Sequence, residues 1–542
     1  MKWLEELKKR WRNRMQKAVA DTGIAKEYKS VFELNGIPSF QQFYDFGVFI
    51  WKLLWKGFYK PWHFVLSPTI ADPMRQRELY RLNVPKALCA EMAGLVWGEE
   101  CTVNVSINGR ESDENNPDPL NEWMQKVLCE NAFREKMQES IEEALALGGN
   151  ALKTWAESKR DENGNELPDT RRIMIGYAMA DQFVPISWDN AKVTEGVFIS
   201  RIAKGGWYYT RLEWHKWNGL TYTITNELYR SQITKGASTE TQDILGVRYP
   251  LAEIYPYLEE YTEIPVDESL FAYWRTPIAN NLDDNSPLGM SVYGNALETL
   301  HALDICYDSF VREFRLGKKR IIVPARAVRS VVDPDSGRLL RYFDPNDETY
   351  EALASDTPDD LKIQDNSVEL RVEEHVAAIN AFLSILCLQT GFSAGTFTFD
   401  QHTGLKTATE VVSENSKTYK TIKTVQNQLR PAIEHLVRNI IDVAILYEMA
   451  DENGTPIASL VAPGYEVQIT FDDGITQDRQ TNINEGVMLV GAGLLSKYTF
   501  LTDPKYGQGL TPEQAEEELN RIKQESPGAG MVDPLAIFNT AE

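Results

Sequence analysis

A seam of apolar residues near the middle of the chain constrains the fold more than any other feature. Between residues 287 and 316 the apolar positions are spaced by four or three residues: Val292, Ala296, Leu300, Leu303, Tyr307, Phe310 and Phe314. This spacing places them on one side of an α-helix for about seven turns. Ser286 is a suitable N-cap before Pro287, and Gly317 is a natural stop. The sequence therefore predicts one helix of ~30 residues, about 45 Å long.

Two more helices follow at some distance along the chain. The first is predicted for about residues 372–390, where Val372, Ile379 and Leu386 share a stripe before Gly391. A capping box formed by residues 407–410 opens the second, which should reach about residue 449. An internal proline, Pro431, predicts a kink within this last helix.

The segments around these helices differ from them in composition and in the spacing of apolar residues. Residues 151–280 contain short runs of Val, Ile, Tyr, Thr and Trp separated by turn residues, which predicts an antiparallel β meander with strands near 172–178, 196–203, 207–217 and 221–229. Residues 321–370 indicate a small α/β insertion, with strands at 321–323 and 327–328. A strand is expected at 465–471, then helices near 477–493 and 511–524. The predicted fold class is α+β.

The N-terminal half leaves two alternatives open. Residues 1–20 form a basic amphipathic pattern, which is typical of a helix packed on its own domain or of a helix in contact with a membrane. Residues 40–62 are dense in aromatic side chains, which suit an intrachain core or an anchor on a neighbouring subunit. Helices are also predicted for residues 86–97 and 120–147.

No motif for catalysis, metal binding or cofactor binding stands out. The six histidines lack metal-ligand spacing, and neither a phosphate-binding GxxxxGK[ST] loop nor a Gly-x-Ser-x-Gly elbow is present. The sequence therefore predicts a protein that is not an enzyme and that uses no cofactor or metal. Five scattered cysteines and the lack of a secretory signal favour a reduced, cytoplasmic origin. The net charge of −23 argues against a sequence-reading nucleic-acid binder.

Several stretches, taken in order, resemble the portal proteins of tailed bacteriophages, in particular those of long-tailed phages of Gram-positive hosts. They are residues 183–188, 280–281, 285–289, 313–317, 342–347, 368–374, 407–410 and 413–416. The likeness rests on their number and order, and it covers most of the chain except the N-terminal helix and the tail.

The resemblance implies a portal fold with named parts. It assigns residues 1–284 to the N-terminal region and a mixed wing domain that contains the meander, and 285–320 to the first stem helix. The clip would be 321–370, the second stem helix 371–391, and the tunnel loop 392–405. The wing helix and its strand would occupy 406–475, the helical crown 476–525, and a flexible tail 526–542.

The same resemblance implies a homo-oligomeric ring, a dodecamer at one capsid vertex of the virion, which assembles in the host cytoplasm. Its expected partners are double-stranded viral DNA without sequence specificity, terminase, a head–tail adaptor, scaffold and major capsid protein. The negative charge fits this function, because every phosphate held by Lys or Arg adds affinity and a conduit must let DNA slide.

Two groups of residues are candidate sites. The tunnel loop would line the narrowest part of the channel through Phe392, Ser393, Ala394, Gly395, Thr396, Phe397, Thr398, Phe399 and Gly404; the alternative is an ordinary turn. The second group is a basic zone at the stem–clip junction, which holds one acid, Glu313, and the cations Arg312, Arg315, Lys318, Lys319, Arg320, Arg326 and Arg329. These cations would contact phosphates or a neighbour's acids, or they would form ion pairs within or between subunits.

Two other functions remain open at this stage. Another ring component of the head–tail connector is disfavoured by the length of 542 residues and by the paired long helices. An acidic, aromatic-rich carbohydrate enzyme would require paired carboxylates in a cleft, and the sequence has no barrel periodicity.

Overall fold

A computed structural model describes most of the chain. The described residues are 34, 40, 43–67, 75–98, 101–110, 117–161, 165–190, 192–232, 245–283, 286–317, 320–322, 329–332, 339–342, 364–366, 369–398, 415–471, 479–503, 506, 510 and 512–525. The predicted helix at 1–20, the start of the third long helix at 407–410 and the tail at 526–542 lie outside them.

The described helices include three long ones in the second half of the chain. They are α1 Phe49–Trp55, α2 Lys60–His63, α3 Val84–Val96, α4 Pro119–Glu130, α5 Phe133–Leu147, α6 Leu297–Leu316, α7 Val372–Thr390, α8 Ser416–Leu446, α9 Ile457–Val461, α10 Arg479–Gly491, α11 Lys497–Thr502 and α12 Pro512–Glu525. Among the described residues, none of the helices is long and apolar enough to cross a membrane.

Every strand pairing between the described residues is antiparallel. The strands are β1 Phe64–Leu66, β2 Gln76–Glu78, β3 Thr102–Ile107, β4 Gly149–Glu157, β5 Arg172–Met179, β6 Phe183–Asp189, β7 Lys192–Lys204, β8 Trp207–Asn218, β9 Thr221–Gln232, β10 Val247–Tyr249, β11 Tyr261–Ile264, β12 Phe271–Arg275, β13 Arg320–Ile322, β14 Arg329–Val332, β15 Leu339–Tyr342, β16 Gln364–Asn366 and β17 Tyr465–Thr470. The largest sheet has the order β10-β9-β8-β7-β6, with β11 also on β9, and a second sheet has the order β12-β4-β5.

The mixed helix-and-sheet class predicted from the sequence is confirmed. Strands β5, β7, β8 and β9 cover the four predicted strand runs, but β5 belongs to the second sheet, so only β7, β8 and β9 lie in the meander. Strands β8 and β9 each have several buried positions, which pack on the core. In the insertion, β13 pairs with β16 and β14 pairs with β15, so its described residues form two separate strand pairs.

Helix α8 forms the centre of the core. It lies against strands β12 and β4 and against helix α3. Its inward stripe, with Leu429, Ile433, Leu436 and Ile440, is fully buried. The helix continues through Pro431, which is exposed on its outer side. The kink predicted there remains a prediction.

The predicted start of the first long helix is wrong. Helix α6 begins at Leu297, so it has 20 residues instead of about 30. Residues 286–296 are non-helical because tertiary hydrogen bonds hold their backbone: Val292 N–H donates to the Leu145 carbonyl at 3.0 Å, and Thr276 Oγ1 donates to the Met290 carbonyl at 2.5 Å. Ser286 Oγ accepts from Leu288 N–H at 3.2 Å in a local turn and does not cap the helix.

Two other expectations about helices and aromatics are resolved. The helix predicted for 120–147 is two helices, α4 and α5, because Ala132 adopts a left-handed conformation with φ +46° between them. The aromatic segment at 40–62 belongs to the intrachain core. Phe43, Tyr44, Trp51 and Tyr59 are buried, and Tyr44 Oη donates to the Phe183 carbonyl at 2.7 Å.

A buried charge cluster joins the two large sheets. Glu213 on β8 accepts from Lys153 on β4 at 2.5 Å, from Arg211 at 2.7 Å and from His215 Nε2 at 3.1 Å. The other ring nitrogen of His215 contacts Tyr222 Oη at 2.7 Å. Burial lowers the pKa of His215. Burial alone would raise the pKa of Glu213, but Lys153, His215 and Arg211 together hold it well below its ordinary value.

This cluster predicts a loss of stability in acid. The unfolded chain takes up a proton on His215 below about pH 6.5, whereas burial lowers the pKa of the folded imidazole, which takes up its proton only at lower pH. The free energy of unfolding should therefore fall as the pH drops from 7.5 to 5.5, by up to about 1.4 kcal/mol from this group. The variant His215→Gln should lose less stability over the same interval. Urea unfolding followed by tryptophan fluorescence measures the difference, and equal losses would contradict the assignment.

Candidate functional site

Helices α6 and α7 pack as an antiparallel hairpin whose tip carries the inserted strands. Near the tip, the end of α6 meets the start of α7: Glu313 contacts Arg371, and the rings of Phe310 and His375 lie 5.7 Å apart. Gly317 closes α6, and it packs so tightly against Leu370 that a Cβ there would lie 2.3 Å from the leucine. Helix α7 has the predicted bounds because Gly391, with φ +87°, ends it.

An ion pair joins the two helices at the tip. Arg371 Nη2 and Nε donate to the two carboxylate oxygens of Glu313 at 3.0 and 3.1 Å, a bidentate geometry. The hydrogen bond from Arg371 lowers the pKa of Glu313. Arg371 lies outside the basic zone predicted from the sequence, yet it provides the cation that pairs with the one acid of that zone.

The predicted basic zone is described only in part. Arg312 is half-buried in the last turns of α6, and Arg315 Nη1 donates to Tyr80 Oη at 2.5 Å. Arg320 and Arg329 begin β13 and β14. Lys318, Lys319 and Arg326 lie outside the described residues. Contact of this zone with phosphates therefore remains a prediction.

Each helix of the hairpin leaves one stripe of its surface open. On α6 the stripe contains Ile305, which is 45% exposed, and Leu316, which is 55% exposed, with Ser309 and half-buried Arg312 between them. On α7 it contains Ile385 at 44% and Leu388 at 71%, and it continues through the small exposed residues Ala377 and Ala381. Apolar stripes of this kind on long helices are typical of surfaces that another chain covers.

The loop after α7 has a rigid base. Ser393 N–H donates to Thr418 Oγ1 at 2.8 Å, and Thr418 N–H donates to Ser393 Oγ at 3.2 Å. The loop and the first turn of α8 thus supply hydrogen-bond acceptors for each other's backbone N–H groups. Thr421 Oγ1 donates to the Gly391 carbonyl at 2.8 Å. Lys417 Nζ donates to the Leu388 carbonyl at 2.8 Å, where a cation also suits the helix dipole.

The residues predicted for the tunnel loop divide into two groups. Phe392 and Ser393 are buried, and the Phe392 ring packs edge-on against half-buried Phe397 at 5.1 Å. The exposed members of the described part are Ala394, Gly395, Thr396 and Thr398. Phe399 and Gly404 lie outside the described residues. Within the described part of the loop, the buried pair forms the anchor and the exposed group faces solvent.

A segment far away in the sequence, residues 75–82, crosses the outer side of α6; we name it the strap. Arg77 donates to both carboxylate oxygens of Asp308 at 2.7 and 2.6 Å. The same aspartate accepts from Tyr80 N–H at 3.2 Å, and Asp304, one turn earlier, accepts from Leu82 N–H at 3.1 Å. Strand β2 within the strap pairs with β1, which follows directly on α2.

His63 completes this contact from the end of α2. Its Nδ1 accepts from Tyr59 N–H at 2.8 Å, so the proton of the neutral ring lies on Nε2, which donates to Asp304 Oδ2 at 3.0 Å. Sequence reasoning missed His63, Arg77, Asp304 and Asp308. The signal was present, because two aspartates spaced by four residues lie on one side of the helix and require partners there when they are buried.

No described residues form a group of three or more His, Cys, Asp and Glu that could hold a metal ion.

The comparison with known families agrees with this arrangement. No curated protein matches the sequence. A family model described as phage portal protein, SPP1 Gp6-like, matches residues 56–529. The class is thus that of phage portal proteins, which are structural components. Because the match covers most of the 542 residues, the chain belongs to the SPP1 Gp6-like family of portal proteins.

The loop base gives a direct stability prediction. Thr418→Val removes the acceptor of the buried Ser393 N–H, so the free energy of unfolding should fall by about 1–3 kcal/mol. Thr424→Val is the matched control, since Thr424 is exposed on the same helix and bonds only to the Lys420 carbonyl. Chemical denaturation of both variants measures the contrast. Equal stabilities for the two would contradict a clamped loop base.

Proposed function

We propose that this protein forms a ring-shaped channel at one vertex of a phage capsid, through which DNA is packaged and later ejected. The family supports the portal function, and the observation that carries the ring is the pair of open apolar stripes on α6 and α7. A head-to-tail contact uses two different surfaces of each subunit and closes into a ring when its rotation divides the circle. Each helix of the hairpin contributes one such surface.

In this proposal the parts of the chain take separate tasks. The hairpin α6–α7 is the stem, and residues 321–370 at its tip are the clip that docks terminase and later the head–tail adaptor. The meander and α8 form the wing, and residues 476–525 form the crown. Scaffold and major capsid protein surround the ring at the vertex, and assembly takes place in the host cytoplasm. The dodecamer is the expected ring.

The loop is proposed to line the channel at its narrowest part. Its base is fixed by the reciprocal bonds between Ser393 and Thr418, so movement begins at Ala394. Gly395 has φ +88° and open space around it, which suits a mobile turn. The overall charge of −23 lets DNA slide, because few phosphates can be neutralised at once.

The stripes predict how ring assembly fails. Leu388→Asp and Ile385→Asp place a charge in the proposed contact, so each should shift the protein from rings to monomers. Leu220→Asp is the control, because Leu220 is 97% exposed at the tip of the β8–β9 hairpin, away from α7. Mass photometry of the purified chains counts the subunits. Rings of unchanged size in both stripe variants would contradict the proposed contact.

The loop predicts a separate defect. Deletion of residues 394–396 removes exposed positions and leaves the base at Ser393 in place, so rings should form while packaging falls. Deletion of residues 393–398 should impair packaging too, with an added loss of stability from the base. DNA packaged per procapsid provides the measurement, and normal packaging by the shorter deletion would remove the loop from the channel.

A further inference from the structure

Two sides of helix α6 contact other parts of the chain, and a third side is open to solvent. The strap holds one side through Asp304 and Asp308, and helix α7 holds another through Phe310 and Glu313. At about 100° per residue, the open stripe with Ile305 and Leu316 lies between them, roughly 100° from each. Any rotation of α6 about its axis therefore changes the direction in which this stripe faces.

Small rotations of this helix have large effects at its surface. Side chains reach about 5–6 Å from the axis, so a rotation of ~40° moves them by roughly 4 Å. That displacement exceeds the tolerance of close-packed side chains. Helix α7 restrains the rotation through apolar packing, which is not directional, and at the tip through the pair between Glu313 and Arg371. Hydrogen bonds to a carboxylate are directional, and the strap supplies them.

The bond between Arg77 and Asp308 is the strongest element of this restraint. Asp308 is 3% exposed, and both of its oxygens are occupied by the guanidinium in bidentate geometry. Two backbone N–H groups, of Tyr80 and Leu82, add bonds to the carboxylates one turn apart. Arg315 extends the contact by a further two turns, to Tyr80 Oη. The strap thus grips α6 along about three turns.

We infer that Asp304 and Asp308 are positioning residues: through the strap they set the rotation of α6 and aim its open stripe at the neighbouring subunit. This inference rests on the proposed ring. It assigns to the segment 75–82 a task in assembly in addition to its contribution to the fold of one subunit. The partner that contacts this stripe is a second copy of this chain.

The test compares assembly with folding in the full-length chain. Asp308→Asn and Arg77→Gln should each raise the subunit concentration at half assembly about tenfold or more, while the monomer remains folded. The double variant should be no worse than either single one, because all three break the same pair. Arg77→Lys, which keeps the charge and loses the bidentate geometry, should recover part of the assembly.

Hydrogen exchange supplies a second readout within the monomer. Peptides from α6 should exchange faster in Asp308→Asn, while peptides from α8 should not change. Lys126→Gln is the matched control, since it breaks an exposed ion pair with Glu452 of 2.8 Å far from α6, and it should leave assembly unaltered. If Asp308→Asn does not fold, Asp304→Asn tests the same side through His63 and Leu82.

The outcomes separate this inference from the proposed function. Strap variants that melt earlier but assemble at the wild-type concentration would show that the strap only stabilises the fold, which overturns the inference and leaves the ring intact. A wild-type chain that forms no ring would overturn the proposed function itself. Weaker assembly with faster exchange confined to α6 supports both.

Discussion

The burial of one long face of α8 is the interaction on which the rest of the structure depends. Four fully buried aliphatic residues, Leu429, Ile433, Leu436 and Ile440, each stabilise the fold by about 1.5–3 kcal/mol. The first turn of the helix clamps the loop through Thr418, its middle packs on β4 and β12, and Arg430 donates to the Ile469 carbonyl in β17 at 2.8 Å. Residues from both halves of the chain thereby share one core.

Much of the architecture could be predicted from the sequence, because it is encoded locally. The meander strands follow from alternation and turn residues, and α7 follows from its apolar stripe and Gly391. The start of α6 could not be predicted in this way. Ser286 and Pro287 carry helix-start signals, but hydrogen bonds to the Leu145 carbonyl and from Thr276 Oγ1 hold the segment non-helical, and the sequence does not reveal which distant residues meet.

The candidate site shows the same division between local and distant information. The position of the loop after α7 was accessible from the sequence, whereas the burial of Phe392 and Ser393 depends on residues of α8. The strap depends on Arg77 meeting Asp308, which are separated by 231 positions. Periodicity indicates that Asp308 lies on a helix face, but it does not identify the partner. The open stripes of α6 and α7 can be identified only when the faces of these helices that other parts of the chain cover are known.

A portal must combine firm contacts between subunits with weak contacts to DNA. We propose that in this chain the apolar stripes provide the first and the acidic total the second. Electron cryomicroscopy of the assembled wild-type protein tests this account most directly, because it locates every subunit contact. The account predicts a closed ring around an axial channel, with Ile305, Leu316, Ile385 and Leu388 buried between neighbouring hairpins. A monomer, or a ring in which these four side chains remain in solvent, would contradict it.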